Sequence, residues 1–144
     1  MSYIKRLEVF EILEAFSKES SRKEKIKVLQ NYKTQALMDV LRGTYDDSIQ
    51  WNLPEGAPPF AANSPQSVPS TIHKQHRYFK YFVKGLRDCE KLKSTRRESM
   101  FISILEAVHP EEAEVLVKMK DKKQLVKGLT KKLVEEAYPG LIQT

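Results

Sequence analysis

The fold is decided by residues 95–113, which read TRRESMFISILEAVHPEEA. Thr95 and Glu98 have the spacing of a capping box, in which each side chain satisfies a backbone amide of the first helical turn. Pro110 follows His109 and precedes two acids, an order typical of a new helix. Apolar residues recur every three or four positions, which is helical spacing; they are Met100, Phe101, Ile104, Leu105 and Val108. The stretch therefore predicts two helices in direct succession.

The same spacing extends to the N-terminal part of the chain. A first helix is predicted over about residues 3–18 by a stripe of apolar side chains, namely Tyr3, Leu7, Phe10, Leu13 and Phe16. Ser21 and Glu24 form a second capping-box pattern and predict a second helix. Apolar residues within 36–41 predict a third short helix, and Gly43 is expected to end it in the left-handed conformation.

Residues 44–70 differ in composition from the rest of the chain. Proline removes a backbone donor and disfavours helix at the preceding residue, so no long helix is expected here. Five of the seven prolines lie in this segment, at Pro54, Pro58, Pro59, Pro65 and Pro69. Trp51 and Phe60 are nevertheless too apolar for a purely solvated linker. We therefore expect an ordered, extended loop that its aromatic side chains pin against the helices.

Helical spacing returns in the C-terminal half. Residues 71–90 are predicted to form one helix, with apolar side chains along one face. Near the C-terminus, Gly128 is expected to form a turn, Thr130 to cap a final helix, and Pro139 to end it.

These patterns predict an all-α fold of six or seven short helices in one compact domain. The length of 144 residues suits a single domain with one core. We expect N-terminal helices in residues 1–43, the proline-rich loop in 44–70 and C-terminal helices in 71–144.

Composition narrows the range of functions. The single cysteine, Cys89, cannot form an intramolecular disulfide and fits a reducing compartment. No apolar run approaches the roughly 20 residues that a membrane-spanning helix needs, so no membrane association is expected. The formal charge of +6 at pH 7 favours polyanions or acidic protein surfaces as partners.

Motifs for catalysis, cofactors and metals are not evident. The five glycines form neither of the common nucleotide-binding loops. His73 and His76 have a spacing that can offer two nitrogens to a metal, but no further tight pair of ligands completes a zinc site. Asp46 and Asp47 more often solvate or cap a loop than hold magnesium. We predict no enzyme activity, no cofactor and no metal.

Two basic groups are candidates for nucleic-acid binding. Residues 71–100 contain nine lysines and arginines against three acids, with two tyrosines interleaved. Such a surface can contact phosphates with its charges and bases with its rings. The candidates in this group are Lys74, Arg77, Tyr78, Tyr81, Lys84, Arg96 and Arg97. A second group lies within 118–132, with the candidates Lys122, Lys123 and Lys131. Lysines on helix exteriors are, however, often ordinary solvated surface.

A protein partner is the preferred prediction and nucleic acid the alternative. Aromatic residues concentrate the energy of protein interfaces, and the loop supplies Trp51 and Phe60, with Tyr45 just before them. We predict these three as partner anchors.

Several stretches of the sequence resemble a family of small uncharacterised proteins of tailed phages that infect marine bacteria and cyanobacteria. The matching runs lie in residues 41–47, 51–54, 101–114, 118–123, 127–130 and 133–141. The resemblance implies a viral protein made in the cytoplasm of an infected bacterial host, and it implies no particular chemistry. The expected function is that of a non-enzymatic phage-type accessory protein that binds a host or phage protein.

Overall fold

The computed structural model describes residues 6–142 and is mostly helical, which confirms the all-α class. Eight α-helices and one 3-10 helix lie in this described range, more than the six or seven predicted. They are α1 (Val9–Lys18), α2 (Arg22–Asn31), α3 (Gln35–Tyr45), α4 (Ile72–Gln75), the 3-10 helix (His76–Tyr81), α5 (Arg87–Glu90), α6 (Ser94–Ala107), α7 (Pro110–Lys120) and α8 (Lys131–Ala137). Within residues 6–142, none of the helices has the length and apolar character needed to cross a membrane.

Helix α7 lies at the centre of the packing. It contacts α1, α3 and α6, while α2 packs between α1 and α8. Ala113, Leu116 and Met119 project from α7 and are fully buried. A fully buried leucine or methionine side chain contributes about 1.5–3 kcal/mol to stability. The core draws on helices from both ends of the chain, although the extent of the domain over residues 1–144 stays a prediction.

Helix starts that depend on local sequence follow the predictions. The hydroxyl of Ser21 accepts from the Glu24 amide, and that of Thr130 accepts from the Leu133 amide. Pro110 occupies the first turn of α7. The first helix begins at Val9, later than predicted, and the predicted start near residue 3 lies outside the described residues.

The capping box predicted at Thr95 is wrong. Helix α6 already begins at Ser94, so Thr95 lies inside the first turn and cannot cap it. Arg97 lies on the buried side of this helix, where only 8% of the residue is exposed.

The helix predicted over residues 71–90 is divided into three pieces. After Tyr81 the chain turns, and Val83 pairs with Trp51 in an isolated antiparallel bridge. The Asn52 amide donates to the Phe82 carbonyl and the Lys84 amide to the Gln50 carbonyl, both at 2.7 Å. Partners that are distant in sequence thus replace the hydrogen bonds that a continuous helix would make.

Gly43 does not end α3, because the helix continues to Tyr45. Instead, Gly43 makes room for a side chain from the loop. A Cβ atom at this position would lie 2.5 Å from Cζ2 of Trp51 and 2.9 Å from Sδ of Met119. The indole Nε1 of Trp51 donates to the Gly43 carbonyl at 2.9 Å. Glycine is therefore required here for close approach, not for a turn.

Buried cationic side chains hold the segment between α3 and α4 in place by hydrogen bonds to its backbone carbonyls. Proline-containing extended backbone leaves carbonyls without helical partners, and buried carbonyls need donors. Arg97 Nε donates to the Asn52 carbonyl at 2.7 Å. Lys120, which is 6% exposed, donates through Nζ to the carbonyls of Pro54 at 2.8 Å and Gly56 at 2.9 Å.

A buried carboxylate joins the starts of two helices. Glu112 is 1% exposed, and its two oxygens accept from the amide of Phe10 at 3.0 Å and from that of Ile72 at 3.1 Å. Burial raises the pKa of Glu112 to about 7, and the nearby carboxylates of Glu8 and Glu11 also raise it, although the two amide donors oppose the shift.

The close contact at Gly43 predicts that Gly43→Ala destabilises the protein. Alanine would add about 1 kcal/mol of helix propensity, but overpacking a tight contact costs about 1–3 kcal/mol, and Trp51 cannot retreat without losing its hydrogen bond. We expect a lower denaturation midpoint by circular dichroism. The same substitution in a Trp51→Phe background should cost less, and an equal cost in both backgrounds would contradict the contact.

Glu112 predicts a pH dependence of stability. An unfolded glutamate loses its proton near pH 4.5, whereas Glu112 in the folded protein holds it to about pH 7. The unfolded state is therefore favoured as pH rises through this window, by at most about 1.4 kcal/mol per pH unit. Denaturant unfolding should show wild type losing stability relative to Glu112→Gln from pH 4.5 to about 7. A constant difference over this window, with a relative gain confined to pH below about 4.5, would show that the amide donors hold the carboxylate ionised.

Candidate nucleic-acid interface

The 3-10 helix sorts its side chains into rows because residues three apart lie above one another. Phe79, followed by Phe82 just after the helix ends, forms the inner row; both are buried, with 8% and 1% exposed. Arg77 and Lys80 form a second row and are exposed, while Tyr78 and Tyr81 form a third that is half-buried. We call the four residues Arg77, Tyr78, Lys80 and Tyr81 the basic ridge.

Cations and rings contact each other along the basic ridge. The Tyr78 and Tyr81 rings are stacked, with centroids 6.3 Å apart and planes 28° apart. The Arg77 guanidinium lies 4.9 Å from the Tyr78 centroid, and the Lys80 ammonium lies 5.4 Å from that of Tyr81. Asp88 makes an exposed ion pair with Lys80 at 3.6 Å, a contact of little energetic weight.

Two clefts adjoin the ridge. The first, which we call the Trp51 cleft, has a volume of about 480 Å³, and Arg77 and Lys80 form part of its wall. The second has a volume of about 310 Å³ and is lined by Tyr78 and Arg96. The ridge therefore supplies its cations to one cleft and a ring to the other.

The Trp51 cleft combines positive charge with an apolar wall. Besides the two ridge cations, Arg42 of α3 and Lys84 line it. Trp51 and Phe79 supply aromatic surface, with their rings edge to face and centroids 5.7 Å apart. The acidic residue in the lining of the cleft is Asp39, whose Oδ2 lies 2.6 Å from Nδ1 of His76.

The predicted site residues of the first basic group separate into surface and interior. Lys74, Arg77, Lys84 and Arg96 are exposed. The prediction that Arg97 contacts nucleic acid is wrong. Arg97 is buried and its guanidinium donates to backbone carbonyls, so it is unavailable to phosphate. The acceptors are the carbonyls of Asn52, Cys89 and Leu92.

The second basic group is held against the C-terminal end of α3. Lys122 Nζ donates to the Asp46 carbonyl at 2.6 Å, and Lys131 pairs with Asp47 at 3.4 Å. Desolvation lowers the pKa of Lys122, although the carboxylates of Asp46 and Asp47 oppose the shift. Lys123 is exposed. Acidic and carbonyl partners thus already engage Lys122 and Lys131.

The predicted protein anchors pack inward. Tyr45, Trp51 and Phe60 are half-buried against the core. The Tyr45 hydroxyl donates to the Leu129 carbonyl at 2.6 Å, and burial raises the pKa of Tyr45. Trp51 is bonded to Gly43. These contacts give Tyr45 and Trp51 structural roles, whereas their role in binding a partner stays a prediction.

The two histidines weighed as metal ligands contact different elements. Nε2 of His73 lies 2.8 Å from the Leu7 carbonyl, whereas His76 is paired with Asp39. Over residues 6–142, no group of three or more histidine, cysteine and acidic side chains is arranged to hold a metal ion.

Sequence reasoning missed Arg42 and Asp39 as cleft residues. They lie one turn apart on α3 and thus share a face. Nothing in the sequence of α3 indicates that this face contacts the 3-10 helix. Only the folded chain brings Asp39 to His76, 37 positions away.

A family model described as "Family of unknown function (DUF6433)" matches residues 12–127. The chain belongs to this family. The matched region includes the basic ridge and the whole Trp51 cleft, whereas Lys131 lies beyond it. No curated protein matches the chain.

Because Arg97 is buried and Arg96 is exposed, alanine substitutions at these two neighbouring residues should differ in their effect on stability. Arg97→Ala leaves the carbonyls of Asn52 and Leu92 without a donor, whereas that of Cys89 keeps the Leu92 amide at 3.1 Å. Each unsatisfied acceptor costs about 1 kcal/mol or more. We expect a loss of about 2–3 kcal/mol in the free energy of unfolding. Arg96→Ala should change it by less than about 0.5 kcal/mol, as is usual for exposed positions. Equal effects in a denaturant titration would contradict the assignment.

Proposed function

We propose that this protein binds single-stranded nucleic acid through the basic ridge. The observation that carries the proposal is the parallel arrangement of an exposed cation row, Arg77 and Lys80, beside a ring row, Tyr78 and Tyr81. Cations contact the phosphate backbone without regard to sequence, and aromatic rings stack on bases. An acidic protein surface would satisfy the cations but would leave the ring row without a specific partner.

Flanking residues support a longer path for the strand. Lys74, Lys84 and Arg96 are exposed, and Arg96 shares a cleft with Tyr78. The proposal includes the ordered loop predicted from the sequence, because the Trp51 cleft needs Trp51 held in place. The ordered loop is supported by the hydrogen bonds that Arg97 and Lys120 donate to loop carbonyls.

A host or phage protein as partner is the second candidate. The sequence favours it because aromatic residues concentrate the energy of protein interfaces and Trp51, Phe60 and Tyr45 supply such residues. The inward contacts of Tyr45 and Trp51 weaken that reason. The wider setting is also proposed: a non-enzymatic phage-type accessory protein in the cytoplasm of an infected bacterial host. This setting is supported by the sequence resemblance alone.

The ridge predicts salt-dependent binding to a labelled single-stranded oligonucleotide, measured by fluorescence anisotropy. For single strands, the slope of log affinity against log salt becomes shallower by about 0.7 for each phosphate contact removed. Arg77→Gln and Lys80→Gln should each produce this change. Replacing both Tyr78 and Tyr81 by leucine should weaken binding with little change in slope, since stacking carries no charge.

Lys23→Gln is the matched control, because Lys23 is an exposed lysine of α2 outside the ridge. It should leave the slope unchanged. If the ridge variants and the control weaken binding equally, the attraction is a property of net charge and the ridge is not the site.

A further inference from the structure

The Trp51 cleft contains cations that the structure does not use internally. Among residues 6–142, the side chains of Arg42 and Lys84 have no hydrogen-bond or ion-pair partner, although both line the cleft. Arg77 and Lys80, by contrast, are engaged by tyrosine rings. Two uncommitted positive charges at one concave surface favour an anionic group between them.

His76 is held in a defined orientation at the same cleft. Its Nδ1 lies 2.6 Å from Oδ2 of Asp39, and the other Asp39 oxygen accepts from Gln35 Nε2 at 2.9 Å. A carboxylate can only accept, so the imidazole hydrogen lies on Nδ1. Nε2 is left as the second polar atom of the ring, and it has no protein partner in the described part of the chain. A protonated imidazole would donate from Nε2 to a phosphate oxygen.

The cleft also offers an apolar wall. Trp51 and Phe79 provide ring surface, and Ile49 and Val83 extend it. A volume of about 480 Å³ lies within the range of small-molecule sites. A wall of this kind suits a planar ring, whereas a bare inorganic anion would leave it empty.

We propose that the Trp51 cleft binds a nucleoside phosphate, with the phosphate between Arg42, Lys84 and His76. The base or sugar lies along the wall formed by Trp51 and Phe79. This inference deepens the proposed function and rests on it, since the cleft shares Arg77 and Lys80 with the ridge. The nucleotide is either free or one unit of a bound strand, and both present the same phosphate and ring chemistry.

Trp51 is the only tryptophan of the chain and therefore reports on this cleft by its fluorescence. AMP should change the emission in a saturable way at millimolar concentration or below. Adenosine and inorganic phosphate should each bind much more weakly, because each lacks one half of the recognised group. Adenosine binding as tightly as AMP would overturn the phosphate assignment, and phosphate binding as tightly as AMP would overturn the role of the ring.

Substitutions then locate the phosphate. Arg42→Gln and Lys84→Gln should each weaken AMP binding about tenfold or more, the loss typical of a charged hydrogen bond. His76→Gln should also weaken it, and Lys23→Gln should leave it unchanged. Circular dichroism verifies that each variant is folded. AMP affinity unchanged in both Arg42→Gln and Lys84→Gln would overturn the site.

A competition experiment separates this inference from the proposed function. Displacement of AMP by an unlabelled oligonucleotide supports a site that takes one unit of a strand, and simultaneous binding supports a site for a free nucleotide. If the oligonucleotide binds through the ridge but AMP does not bind and Trp51 emission is unchanged by either, the inference fails and the proposed function stands. If neither binds, both fail.

Discussion

The pairing of Trp51 with Val83 is the constraint on which the candidate site depends. Two hydrogen bonds of 2.7 Å join the backbones on either side of this pair, and the indole is fixed on Gly43 by a third. Because Val83 pairs with Trp51, the helix that precedes it ends at Tyr81. The same pairing brings the loop beside α3, so Trp51 becomes one wall of a cleft whose other walls carry the cations.

Buried charged side chains stabilise the irregular parts of the fold. Arg97 and Lys120 donate to loop carbonyls, and Glu112 accepts from amides at the starts of α1 and α4. Each side chain lies where the backbone has groups that no helix satisfies, and its hydrogen bonds oppose the cost of desolvation. At Glu112 burial outweighs the two amide donors, so the pKa stays raised. The long segment between α3 and α4 is thus attached by polar contacts as well as by its aromatic residues.

Prediction from the sequence succeeded where the deciding interactions are local and failed where they join residues that are distant in the sequence. The starts of α2, α7 and α8 were predictable from Ser21, Pro110 and Thr130, because capping and proline effects act within one turn. Gly43 and Arg97 were misassigned because their roles depend on contacts with Trp51 and Asn52. Three ridge residues, Arg77, Tyr78 and Tyr81, were predicted from composition, whereas Lys80 was not among the candidates. The arrangement of the ridge in rows depends on the 3-10 helix, which no local pattern indicated.

Residues 50–52 pair with residues 82–84 and thereby shape both the basic ridge and the Trp51 cleft. In a pair flanked by hydrogen bonds of this kind, the two Cα atoms lie about 4.5 Å apart and their Hα atoms are in close contact. An NMR experiment on the free protein should therefore show a strong nuclear Overhauser effect between the Hα atoms of Trp51 and Val83. Its absence, with helical contacts running unbroken from Tyr81 through Lys84 to Arg87, would contradict the account.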